Sequence, residues 1–156
     1  MMQRLTLLIA LQALAFGLVA CQSKEPASSP GPKEPTASAE PPATDAFRTA
    51  LSRDGNYSLG WRPVGRADVP INEYFELEAC LAPADDPEAR ITDAKLVVSA
   101  WMPGHGHGMV TKPASDPVGD CYLVKGMLFH MGGHWQLFFD VLRGGGAERV
   151  EFDLEL

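Results

Sequence analysis

An all-β domain, an immunoglobulin-like antiparallel β-sandwich of about seven strands, is predicted by three observations. From Asn56 onward the chain is a succession of short apolar runs that alternate with polar residues at a period of two. Gly, Pro and Asp separate these runs at close intervals. No stretch beyond Asn56 keeps the 3.6-residue period of a helix.

The first strand is expected at residues 57–62. In 74–81, Phe75, Leu77, Ala79 and Leu81 share one face while Glu76 and Glu78 take the other, and Cys80 falls on that wet phase. A polar, proline-containing loop at 83–90 follows. Leu96, Val98, Ala100 and Met102 then alternate with Lys95 and Ser99, and a short run at 108–112 is counted as another strand. Tyr122, Val124, Gly126 and Leu128 form the next buried face, and Trp135, Leu137, Phe139 and Val141 the one after. Gly132-Gly133 between them predicts a two-residue hairpin that sets Leu128 opposite Leu137, Gly126 opposite Phe139 and Val124 opposite Val141. Gly144-Gly145-Gly146 makes a further turn into a last strand, where Val150, Phe152, Leu154 and Leu156 alternate with Glu151, Asp153 and Glu155. That charged outer row protects a sheet edge from pairing with other chains.

The first third of the 156-residue chain cannot build a core. Residues 1–20 read as an export signal, with Arg4 followed by an apolar run too short to span a bilayer, which takes ~20 residues. Leu18, Ala20 and Cys21 resemble the lipobox of bacterial lipoproteins, which implies a multiply acylated Cys21, carrying chains such as palmitate, in the membrane. By the same resemblance, Gln22 after the cysteine favours the outer membrane, facing the periplasm, over the inner membrane. Residues 21–54 form a Pro/Ala/Ser-rich tether after the lipidated cysteine. The 25 residues from 22 to 46 hold six prolines and reach at most roughly 80 Å at the polyproline rise. Phe47 to Arg53 carries no assignment of its own. The domain proper is placed at 55–156.

Setting Arg4 aside leaves 12 basic residues against 20 acidic ones, a formal charge of −8, which argues against nucleic acid and anionic lipid as partners. Beyond Cys21 stand Cys80 and Cys121, an even number in a disulfide-permissive compartment. A bridge closing about 40 residues would contribute ~4 kcal/mol in the chain-entropy model. Because both cysteines fall on outward phases, a surface bridge is expected over a buried inter-sheet one, with a thiol metal site as the competing reading.

All four histidines, and every methionine beyond the first two residues, fall in two segments. These are Trp101-Met102-Pro103-Gly104-His105-Gly106-His107-Gly108-Met109 and Met127-Leu128-Phe129-His130-Met131-Gly132-Gly133-His134. Imidazole with thioether is a donor set for a soft transition metal, copper first. If 104–109 is extended, His105, His107 and Met109 share a face. Met131 and His134 join them as candidate ligands from the outer side of the expected hairpin. Met102 and Met127 read as core, and His130, inward beside Trp135, as a hydrogen-bonded packing residue. Two glycine-rich turns that merely carry core methionines stay open as the alternative.

Catalytic signatures are missing: there is no G-x-S-x-G, phosphate loop, C-x-x-C or H-E-x-x-H, and no glutamate follows His-x-His as a cupin requires. The chain is therefore read as a non-enzyme. The two motifs, covering roughly 72–141, resemble the YtkA-like domain family, including its Met-Pro-Gly-His and Met-x-Gly-x-Trp turns. That resemblance implies a small exported sandwich, with Met102, Pro103, His105, His107, Gly108, Met109, Met131, Gly133 and Trp135 in family motifs. Two functions follow as expectations. One is an anchored envelope lipoprotein that binds copper for storage or delivery. The other is a metal-free interaction or assembly module for an envelope protein partner.

Overall fold

The computed structural model describes residues 46–156, so the signal, Cys21 and the tether up to residue 45 lie outside the described residues. Nine strands form: β1 Arg48–Leu51, β2 Tyr57–Pro63, β3 Phe75–Pro83, β4 Lys95–Met102, β5 His107–Gly108, β6 Ala114–Val118, β7 Cys121–Met127, β8 His134–Arg143 and β9 Gly146–Glu155. They make two antiparallel sheets, ordered β1-β2-β3-β7-β6 and β5-β4-β8-β9. In immunoglobulin lettering, β2-β3-β7-β6 is A-B-E-D and β4-β8-β9 is C-F-G. The predicted sandwich is thus present, with β1 and β5 added at its edges.

The period-two patterns decide which side chains meet between the sheets. Leu77, Ala79 and Leu81 of β3, Leu137 and Phe139 of β8, and Trp61 of β2 are all fully buried. Each large apolar side chain removed from water contributes about 1.5–3 kcal/mol. Trp61 and Phe139 both meet Phe152 edge-on, with ring centroids 6.0 and 5.9 Å away. The buried Tyr122 hydroxyl donates to the Ala94 carbonyl at 3.0 Å and accepts from the Ala94 amide at 3.1 Å, which ties β7 to the entry of β4. Burial raises this phenol above its ordinary value of 10.0.

The β8–β9 turn is the one that the triple glycine predicts. Arg143 pairs with Gly146, and Gly144 and Gly145 both take positive φ, 60° and 83°, as a tight hairpin of this hand requires.

The other expected hairpin is not formed. β7 and β8 lie in different sheets, and the partners of β8 are β4 and β9: Leu137 faces Ala100 and Phe152, and Phe139 faces Val98 and Val150. Residues 128–133 instead cross from one sheet to the other. Their fully buried Phe129 bridges to Ile71, and the Phe129 carbonyl accepts from the Asn72 amide at 2.6 Å. Alternation names the buried face of a strand but not its neighbour. Of the two glycines only Gly133 has positive φ, 123°, whereas both two-residue hairpin turns need it at the first position, Gly132.

Two strand assignments also shift. Of the run at 108–112 only Gly108 is in a strand, the two-residue β5, and a strand the sequence did not show, β6 at 114–118, forms the edge of the first sheet beside β7. Phe47 to Arg53 supplies β1, which pairs with β2 through Arg48↔Trp61 to Leu51↔Ser58. The start of β1, the end of β2, the start of β3 and the end of β7 all lie at one end of the first sheet. From that end the crossover leads to the start of β8, beside the end of β4.

Candidate functional site

The Met-Pro-Gly-His segment is a tight turn rather than an extended run. Met102 closes β4, and its carbonyl accepts from the His105 amide at 3.1 Å and the Gly106 amide at 2.9 Å, with Gly106 at φ 68°. The chain then returns as β5, pairing Gly108 with Trp101 and His107 with Met102. Gly108 is needed for this return, because a Cβ there would stand 2.8 Å from the Ala100 carbonyl oxygen. His107 therefore takes the side of β4 on which Met102 is buried. His105 sits in the exposed turn, and its relation to His107 comes from chain reversal and not from strand phase.

The crossover brings the second segment to the same end. His130 lies with its ring 5.1 Å from His107 and 5.5 Å from Trp135, and His107 lies 5.8 Å from His105. Trp135, fully buried, floors the group: it presents its edge to His107 at 6.0 Å, and its indole N–H donates to the Met131 carbonyl at 3.1 Å. Met131 and Met109 pack half-buried at the margin of the core. Met102 and Met127 are buried within it, in keeping with their reading as core residues. The Gly133 backbone is clasped to Leu156 by two hydrogen bonds of 2.7 and 3.1 Å.

His134 does not join this group. It follows the crossover on the face of β8 opposite to Trp135, and its Nε2 lies 2.8 Å from Asp153 Oδ1 in a largely exposed pair. His130 takes its place beside His107, although sequence phase read it as a satisfied packing residue. It is inward beside Trp135, yet its Nδ1 is buried with no hydrogen-bond partner. A buried imidazole nitrogen left without a partner costs about 1–3 kcal/mol, which a metal or a proton donor would offset. The signal for His130 in the sequence was its membership of the second cluster, and the incorrect hairpin removed it.

The donor set fits a copper ion in kind: three neighbouring imidazoles, two of them half-buried, in a domain whose core margin also carries the thioethers of Met109 and Met131. His107 Nδ1 lies 3.2 Å from the Gly108 carbonyl, so the tautomer that donates there leaves Nε2 as a free lone pair. The three imidazoles are not drawn up as a closed ligand sphere. Among the described residues the one His/Cys/Asp/Glu trio with donor atoms all within 4.8 Å of one another is Glu78, Cys80 and Cys121. His105 must turn its ring on the exposed loop to converge with the other two.

Cys80 and Cys121 are joined by a disulfide, Cα to Cα 4.3 Å, between neighbouring strands β3 and β7. It lies on the outer face of the first sheet and does not cross the core. Among the described residues no helix is long and apolar enough to cross a membrane. Comparison with protein-family models, with curated proteins and with solved structures finds no match to this chain.

Proposed function

We propose that this chain is an envelope lipoprotein, held at the membrane through acylated Cys21, whose sandwich binds copper at the loop end for storage or delivery. The observation that carries the reading is the meeting of His107 and His130 at 5.1 Å, with a buried unpartnered nitrogen on His130. His107 and His130 supply the fixed donors in this reading, and His105 the mobile one. Met109 and Met131 stand at the margin of the core as candidate thioethers.

Titration of the mature chain with Cu(I) against a chelator of known affinity tests it. The expected result is binding tighter than about micromolar, weakened at least tenfold in a His107→Ala/His130→Ala variant, by about 1.4 kcal/mol or more. His134→Ala should leave it unchanged. Equal affinity in wild type and the double variant would overturn the reading.

A metal-free docking module is the second reading, and exposed apolar side chains beside the turn favour it. Trp101 is 42% exposed and Val110 71% exposed. A partner that stays bound through chelator treatment, and is lost in Trp101→Ala, would support it over copper.

A further inference from the structure

We propose that Cys80, Cys121 and Glu78 form a second metal site, closed while the disulfide stands and opened to a thiophilic ion by its reduction. The proposal is independent of the histidine cluster and of the copper reading.

Strand register brings the three together. β3 and β7 pair through Glu78↔Leu123 and Ala79↔Tyr122, and the next position sets Cys80 opposite Cys121. Residues directly opposite in an antiparallel pair send their side chains to the same face. Glu78, two residues before Cys80, shares that face, and one of its oxygens lies within 4.8 Å of both sulfurs, which the disulfide joins. All three are half-buried. A cleft of about 380 Å³, lined in part by Arg62, Glu78, Cys121 and Leu123, opens onto two of them, Glu78 and Cys121.

The arrangement does not depend on the S–S bond. β3 is paired with β2 along seven positions, and β7 is paired with β6 along five. When the bond is cut, the ladders keep both sulfurs opposite one another, so the dithiol is held ready and no loop has to be ordered.

Reduction takes two electrons from a dithiol reductant, which leaves as its own disulfide, and two protons pass to Cys80 and Cys121. A divalent ion then displaces those two protons and gains two thiolates and the Glu78 carboxylate, with a fourth position open to the cleft. Two thiolates select zinc or cadmium over hard divalent ions. Glu78 is held by Arg62 Nε at 2.8 Å and Nη2 at 2.7 Å, and must exchange part of that pair for the metal. The guanidinium stays nearby to offset the excess negative charge.

The test uses the full chain carrying Cys21→Ser, so that Cys80 and Cys121 are its remaining cysteines, either oxidised or reduced with a phosphine and desalted without oxygen, and titrated with Cd²⁺ alone. The reduced chain is expected to take up one ion more than the oxidised chain, with an ultraviolet thiolate-to-cadmium band that imidazole and thioether do not produce. Cys80→Ser/Cys121→Ser should abolish the band in both states. Cys121→Ser alone should leave a weaker one, and Glu78→Gln should lower affinity at least about tenfold. Circular dichroism follows the fold throughout. No band in the reduced chain, two chains per ion by gel filtration, or loss of the sheet signal on reduction would each overturn the proposal; unchanged affinity in Glu78→Gln would remove the carboxylate from it.

Discussion

Gly133 holds φ at 123°, and a Cβ on it would stand 2.6 Å from the Met102 terminal methyl. Gly133→Ala thus combines a left-handed backbone with overpacking of a core methionine. It should cost about 2 kcal/mol or more in urea unfolding. His134→Ala, by contrast, removes an exposed pair with Asp153 and should change stability by less than about 1 kcal/mol. The two histidines of the second segment show what residue-level reading reaches. Composition singled out both, but whether a histidine faces its namesakes depends on strand pairing, and the two exchanged roles when the pairing changed.

Strands were legible wherever one face is buried and the other wet, because alternation reports burial directly. This holds for β3, β4, β7, β8 and β9. The elements that escaped have no such contrast. β1 is mostly exposed, and β6, Ala-Ser-Asp-Pro-Val, is a polar edge whose Pro117 sits at a position of β6 that a central strand would not tolerate. The β7–β8 pairing failed for another reason: antiparallel registers can be drawn between any two amphipathic strands, and only the sandwich as a whole decides which one buries more.

One local tie between elements is open to a pH test. Glu148 of β9 accepts from Ser52 Oγ and Asn56 Nδ2, each at 2.7 Å, joining the β1–β2 turn to the second sheet. The Ser52 hydrogen bond above all holds this carboxyl below its ordinary 4.5, and the Arg143 hydrogen bond does the same for Asp93 below 3.8. A carboxyl depressed in the folded state contributes its stability above the ordinary value and loses it as pH falls through the folded value. Stability should therefore be level above about pH 5 and decline below about pH 4. Urea midpoints across that range should decline less steeply in Glu148→Gln.

For the whole molecule, the disulfide closes a separation of 41 residues. Replacing both cysteines with serine should lower stability by about 2–4 kcal/mol, which a domain of ordinary stability, about 5–15 kcal/mol, survives folded. The place where the sheeted chain begins matters as well. A chain starting at residue 55 loses β1, the Ser52–Glu148 bond, and the Arg48 guanidinium that covers Trp61 at 4.8 Å. It should melt below one starting at residue 46, by on the order of 2 kcal/mol if each lost hydrogen bond is worth about 0.5–1.5.

The entry of β1 sits at the end of the sandwich that also carries the start of β8 and the histidine turn. The triple-glycine hairpin joins the far ends of β8 and β9, so the chain before residue 46 enters the domain at the histidine end and the glycine tip stands at the opposite one.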